Sequence, residues 1–217
     1  MHGASTGAHA ELVPSVPGPN LDDLSEESRA AQRAALEAHR RRSDPHARSL
    51  VLVNTGNGKG KTTAALGLLF RAWGQGLRVI MLQFIKAHTG NWGEIKAARK
   101  LGIELVSLGD GFTWTSKDIE HDRALAQEGW RRCRETIEQG QYDIVILDEL
   151  TYCFTFHWLD LDDVLDVLRS RPAHVHVIIT GRDAPQELID YADLVTEMRE
   201  IKHPYQVGVR AQKGIEF

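Results

Sequence analysis

With 217 residues, the chain has the length of one domain with a sizeable core. Apolar residues make up 42% and charged residues 26%, the balance of an ordinary globular protein rather than a fibrous or low-complexity one. The formal charge of −4, from 26 basic and 30 acidic residues, gives no overall positive field for nucleic acid. No apolar stretch is long enough to cross a membrane, and the first residues lack the charged start and apolar core of a secretion signal. Cys133 and Cys153 match no common zinc or redox spacing and sit among apolar neighbours. Structural, reduced thiols are expected, which suits a cytoplasmic protein.

Residues 1–20 are rich in Gly, Ala, Ser and Pro without periodicity and read as a disordered leader. Residues 21–48 read as a helical arm and linker. Ser25 is the expected N-cap, Glu26 and Glu27 fall in the first turn, and Arg40, Arg41 and Arg42 close the segment, in the order that suits a helix dipole. Its apolar content is mostly alanine, so either a solvated helix or an arm that docks on a ligand or a second subunit fits. Asp44-Pro45 ends it. The remainder, 49–217, reads as one domain.

That domain opens on an apolar run, Leu50-Val51-Leu52-Val53, followed by Gly56-Asn57-Gly58-Lys59-Gly60-Lys61-Thr62-Thr63 and the helix-forming Ala64-Ala65-Leu66. Strand, glycine-rich turn and helix in that order are the context of a phosphate-binding P-loop. Glycines let successive amides approach phosphate oxygens, and the helix N-terminus adds positive potential. Lys61 is placed to reach the phosphates and Thr62 to offer its hydroxyl to Mg²⁺. The loop departs from G-x-x-x-x-G-K-[ST] in one respect. Thr55 stands where the first glycine belongs, so the span between glycines, counted from Gly56, is one residue short. A tighter cradle follows.

A buried-type strand is expected over 78–84, a polar loop over 86–93, a short helix to about Lys100 and a strand over 103–106. A glycine-flanked loop, 108–115, then carries Phe112 and Trp114. Ile119, Ala126, Trp130, Cys133 and Ile137 share one face of a helix that ends at Gly140. Tyr142-Asp143-Ile144-Val145-Ile146-Leu147-Asp148-Glu149 is a strand ending in acid, the Walker B pattern, which brings Asp148 and Glu149 to the P-loop edge to hold Mg²⁺ directly or through water. A helix over 161–168 capped by Asp160, a strand over 174–180, a short helix over 186–191 and a strand over 194–198 follow. His174 and His176 read as strand residues, since no third ligand lies nearby in sequence. The tail from Lys202 shows no regular pattern. Strands alternating with helices predict an α/β fold with a mostly parallel central sheet covered on both faces, its ligands at the carboxyl ends of the strands.

GNGKGKTTAA, QFIK, GFTW, LDELTY, IITGR and the ending KHPYQVGVRAQKGIEF, in this order and spacing, resemble the P-loop family of ATP:corrinoid adenosyltransferases from about Leu50 onward. The resemblance implies a RecA-like P-loop NTPase fold and transfer of the 5′-deoxyadenosyl group from ATP to cobalt(I) of a corrinoid, with release of triphosphate. It further implies that ATP lies in the shortened loop in reverse, with the ribose C5′ toward the second substrate. Gly56, Asn57, Gly58, Lys59, Gly60, Lys61, Thr62 and Thr63 would bind nucleotide, with Asn57 a candidate for the ribose and Thr62, Asp148 and Glu149 near Mg²⁺. Phe112 and Trp114 match the aromatics that displace the lower cobalt ligand, whereas on residue chemistry alone they fit core packing equally well. Arg182 is open between a ligand contact and a structural salt bridge, as are Lys202 and His203. A homodimer and a reduced flavin or flavoprotein as electron donor are also implied. Two rivals share the P-loop and the acid-ended strand: a RecA-like NTP hydrolase, and a non-catalytic corrinoid carrier gated by ATP.

Overall fold

A computed structural model describes residues 25–26, 28–31, 33–34, 48–87, 92–109 and 119–216. The chain divides into two compact units, Met1–Ala47 and Arg48–Phe217. In the first, Ser25 begins a helical stretch whose described residues run between 26 and 34. Ser25 Oγ accepts the Ser28 amide at 3.2 Å and its carbonyl accepts the Arg29 amide at 3.0 Å, as an N-cap does. Residues 1–20 and 35–47 lie outside the described set.

The second unit is built on six strands, β1 (Val51–Thr55), β2 (Val79–Ala87), β3 (Glu104–Gly109), β4 (Ile144–Asp148), β5 (His176–Thr180) and β6 (Leu194–Glu197). They form one sheet in the order β3-β2-β4-β5-β1-β6, with every pairing parallel. The strand carrying the P-loop is thus separated by β5 from the strand ending in acid, in the expected RecA-like P-loop fold. The helices are α1 (Lys61–Gly74), α2 (Gly93–Leu101), α3 (Ile119–Gln139), α4 (Thr151–Thr155), α5 (Leu161–Ser170) and α6 (Gln186–Tyr191).

Alternation along the strands divides the core between the two faces. Val79, Met81, Ile146 and Ile178 meet Ala65, Leu69 and Ala72 of α1 and Ala98 of α2. Ile80, Leu82, Val145, Leu147, Val177 and Ile179 meet α3, α4, α5 and α6 through Trp130, Cys133, Cys153, Leu165 and Leu188. The stripe expected along α3 is buried at Ala126, Trp130, Cys133 and Ile137, but Ile119, at the first position of the helix, is 64% exposed. Both cysteines are buried free thiols, and burial pushes Cys133 well above its usual pKa and Cys153 up to about 12.

Asp160 caps α5 as expected, accepting the Asp162 amide at 3.0 Å. His176 Nδ1 accepts the Leu50 amide at 3.1 Å, and burial, then Arg171, lowers its pKa toward the neutral ring this bond requires. Two elements go beyond the sequence expectation. α4 follows the acid directly, without a capping side chain and rich in β-branched and aromatic residues, so local propensity gives no sign of it. In the tail, Pro204–Val207 forms a 3₁₀ turn capped by His203.

At the edge of the sheet opposite the P-loop, Arg171 fastens four segments together. Its guanidinium donates to the carbonyls of Leu168 (2.5 Å), Val175 (3.1 Å) and Ser49 (3.0 Å) and to Tyr191 Oη (3.0 Å). Arg171→Met strands three carbonyls at once, so urea unfolding should show a loss of about 2–4 kcal/mol. ATP affinity should be unchanged within twofold, because none of these contacts reaches the strand ends that carry the P-loop.

Candidate nucleotide site

One step beyond the apolar layer beneath α1, the strands switch to polar residues at a common height. Asn54 pairs in register with Thr180 on one side and Thr196 on the other, while Gln83 pairs with Asp148 and with Ser107. Leu147 opposite Ile179 sets Asp148 beside Thr180. The result is a transverse row, Ser107–Gln83–Asp148–Thr180–Asn54–Thr196, with its inner members buried. It lies toward the carboxyl ends of β1, β4, β5 and β6, the side of the sheet on which α/β folds bind ligands.

Asp148 is the centre of this row and is fully buried. Its Oδ1 accepts from Thr62 Oγ1 (2.9 Å) and Thr180 Oγ1 (2.6 Å), and its Oδ2 from Gln83 Nε2 (2.9 Å). Thr180 Oγ1 in turn accepts the Glu149 amide at 2.9 Å, so its proton is directed at the acid. A buried carboxylate is tolerable only with such partners.

The glycine-rich turn rises from β1 and is held from the side by the chain leaving β6. Met198 donates its amide to Thr55 O (2.8 Å) and accepts the Gly58 amide (2.6 Å). A Cβ on Gly56 would lie 2.5 Å from Met198 O, and one on Gly58 would lie 2.7 Å from the Arg199 carbonyl carbon. Gly56 and Gly60 also have φ of 89° and 113°, a region natural only to glycine. Gly60 brings no capping side chain to α1, and the first turn contains no acid, so the positive end of the helix faces the loop uncompensated.

Lys61 is 7% exposed and folds back over the loop, donating to Gly56 O (2.7 Å) and Gly58 O (2.8 Å). Burial lowers its pKa first; Glu149 raises it, Arg182 and Lys59 press it further down, and Asp183 raises it. Glu149, Arg182 and Asp183 also act on Tyr152, whose pKa is raised by burial, then by Glu149. Lys59, Lys61, Glu149, Arg182 and Asp183 therefore share one electrostatic neighbourhood. Lys59 Nζ lies 2.5 Å from Glu216 Oε2. Arg182 has an exposed side chain, while its carbonyl accepts Thr151 Oγ1 at 2.5 Å. Asn57 in the loop and Thr63 in the first turn of α1 are exposed.

Sequence and structure thus bring Gly56–Thr63, Asp148, Glu149 and Arg182 to one sheet edge. Phe112 and Trp114 lie outside the described residues. By sequence Gln83 and Thr180 are only strand residues, and Asn54 falls between the apolar run 50–53 and the glycine-rich turn with no role. The available signal was positional for Asn54 and Thr180, which follow apolar runs, whereas Gln83 is a lone polar residue inside one, Met81-Leu82-Gln83-Phe84-Ile85. The strap at Met198–Arg199 and the Glu216 contact had no sequence signal, because both depend on chain return from far away.

The donor set also fits Mg²⁺. Thr62 and Asp148 supply hard oxygens beside a phosphate cradle, and Mg²⁺ takes one or two carboxylates together with substrate phosphates rather than a protein-only cage. Among the described residues no three His, Cys, Asp or Glu side chains cluster into such a cage.

The strap makes Gly58 a sensitive position. Gly58→Ala drives a methyl into the Arg199 backbone, so ATP affinity should fall about tenfold or more and the unfolding midpoint should drop. Gly67→Ala, on an exposed turn of α1 with open space at its Cβ, should instead be neutral or stabilise by about 0.5–1 kcal/mol. Calorimetric titration with ATP and thermal melts on both variants check the contrast.

The chain matches the family described as ATP:corrinoid adenosyltransferase BtuR/CobO/CobP over residues 47–217. It is 42% identical over 172 residues to Corrinoid adenosyltransferase CobA of Salmonella typhimurium, covering 78% of this chain and 86% of that protein. A Corrinoid adenosyltransferase of Escherichia coli K12 is 41% identical over 172 residues, with the same 78% and 86% coverage. Another, from Sinorhizobium sp, is 35% identical over 199 residues, 90% of this chain and 93% of that protein. The match takes in the whole sheet, the P-loop and the strand ending at Asp148, and on this ground the chain belongs to the ATP:corrinoid adenosyltransferase family.

Proposed function

We propose that the protein transfers the 5′-deoxyadenosyl group of ATP to the cobalt(I) of a corrinoid, in the making or salvage of adenosylcobalamin. The observation that carries this reading is the nucleotide site itself: a P-loop one residue short, facing a buried Asp148, in a chain matched by the adenosyltransferase family through its whole second unit. The cobalt(I) electron pair forms the bond to C5′. The C5′–oxygen bond breaks and its pair leaves on the triphosphate, so no base or activated side-chain nucleophile is needed. ATP lies in reverse in the shortened loop, so that C5′ rather than the terminal phosphorus faces the corrinoid.

The protein contributes position and charge. The α1 amides, Lys59 and Lys61 bind the triphosphate and stabilise it as it departs. Lys61 is held ready over Gly56 O and Gly58 O and exchanges those carbonyls for phosphate oxygens. Thr62, Asp148 and Glu149 would hold Mg²⁺, which supplies positive charge to the leaving group. Asn57 contacts the ribose and Arg182 the nucleotide or the corrinoid. Phe112 and Trp114 take the place of the lower cobalt ligand, which eases one-electron reduction of cobalt(II) by a reduced flavin or flavoprotein. The enzyme works as a cytoplasmic homodimer, with 49–217 as its catalytic domain, 21–48 as an arm able to cover the corrinoid, and 1–20 as a leader.

The first test is anaerobic: protein, MgATP and chemically reduced cob(I)alamin, followed by the corrin spectrum and by the phosphate released. A light-sensitive cobalt–carbon product with equimolar triphosphate is expected. Orthophosphate without that product would mean an NTP hydrolase, and bound corrinoid with intact ATP a carrier. Phe112→Ala should slow the reaction from cobalt(II) by about an order of magnitude while sparing the reaction from pre-formed cobalt(I). Equal losses in the two assays would remove Phe112 from the reduction step.

A further inference from the structure

Gln83 is a large polar side chain with no exposure, in the middle of strand β2. A position so deep, two residues beyond Met81 in the apolar layer under α1, is ordinarily filled by an aliphatic residue. Its amide nitrogen donates to Asp148 Oδ2, and the register sets the two residues side by side. The orientation of the amide follows from charge: an ionised carboxylate only accepts, so the nitrogen must face it. That choice leaves Oε1, on the same carbon, without a hydrogen-bond partner among the described residues and shut off from solvent. A buried amide oxygen is rarely left so, and where it is, a missing partner is the usual reason.

The partner's chemistry is set by the surroundings. Asp148 Oδ1 is taken by Thr62 and Thr180, and its Oδ2 is taken by Gln83. What arrives at Oε1 must donate a hydrogen, and it does so beside an amide whose other end holds Asp148. A water in the shell of a nucleotide-bound divalent cation meets that demand, since Mg²⁺ keeps several of its waters. We propose that Gln83 is a positioning residue of the metal–nucleotide site, its Nε2 fixing the Asp148 carboxylate and its Oε1 accepting a hydrogen from metal-bound water. This rests on the reading that Thr62 and Asp148 hold the cation. It adds that the metal's orientation is controlled from β2, three strands away from the P-loop strand in the order β2-β4-β5-β1.

The test separates metal binding from activity and from folding. ATP affinity of the full chain is measured by calorimetry in Mg²⁺ and in EDTA, without corrinoid, and the ratio of the two is the metal-linked gain. Gln83→Met keeps the side-chain length and its apolar packing but removes both polar ends. It should cut that gain about tenfold while leaving the EDTA affinity within twofold of wild type. Gln83→Asn, which keeps the amide but loses one methylene of reach, should cut it in the same direction and guards against a folding failure of the first variant. Wild-type gain in both variants, whatever their thermal midpoints, would overturn the proposal. A fall in both the Mg²⁺ and the EDTA affinities by the same factor would also overturn it, since the role would then be structural. Asp148→Asn tests the reading beneath it: if that variant keeps the full gain, the cation is held elsewhere, whereas loss in Asp148→Asn with none at Gln83 defeats only the role of Gln83.

Discussion

Everything at the site depends on satisfying one carboxylate inside the protein. Asp148 is fully buried, and an unpartnered charge there would cost several kcal/mol. Its three donors come from three different elements: Thr62 from the start of α1, Thr180 from β5 and Gln83 from β2. The acid therefore joins the nucleotide loop to the sheet. Thr180 both accepts from the Glu149 amide and donates to Asp148, so the bonds are arranged head to tail and reinforce one another. Loss of any one donor leaves a buried oxygen short, which makes this small polar row more demanding than the apolar core below it.

Around that fixed centre, the backbone is bent into conformations that ordinary residues avoid. Glu149 and Asp183 have φ of 62° and 50°, and they lie at the ends of β4 and β5, where the chain turns away from the site. Gly181 sits so close to Thr151 that a Cβ would lie 2.0 Å from its Oγ1. Such conformations cost about 1–3 kcal/mol each and persist where the surroundings over-determine them. Here the over-determination is visible: Thr151 Oγ1 bonds Arg182 O, Gly181 donates to Asn54 O, and Ala184 donates to Thr55 Oγ1. Two of the three positive-φ non-glycine residues described, Glu149 and Asp183, follow strands at the binding edge, the third being His157 after α4, while the opposite edge is fastened by ordinary bonds such as those of Arg171.

How much of this is legible in the sequence follows from the range of each signal. The P-loop, the acid-ended strand and the cap at Asp160 are local patterns, and each stands where its pattern places it. The parallel sheet follows from strand–helix alternation. Strand order is another matter, since β5 between β1 and β4 depends on crossovers that no local pattern records. α4 escapes because its five residues lack a cap and a period long enough to read. Gln83 and Thr180 escape because their meaning is lateral: one interrupts an apolar run and the other ends one, and only the register lays them beside Asp148. The short span between Gly56 and Gly60 is plain in the sequence, but its packing against Met198 and Arg199 is not.

That packing has a consequence for how the protein is made. Gly58 cannot settle against Met198 until Met198 exists, and the ribosome reaches it long after the glycine-rich turn has emerged. At roughly 5–20 residues per second, the turn waits on the order of ten seconds for the segment that shapes it. During that interval β1 also lacks its outer neighbour β6. The nascent chain therefore carries a nucleotide motif it cannot yet use, and competence arrives abruptly once the last strand pairs.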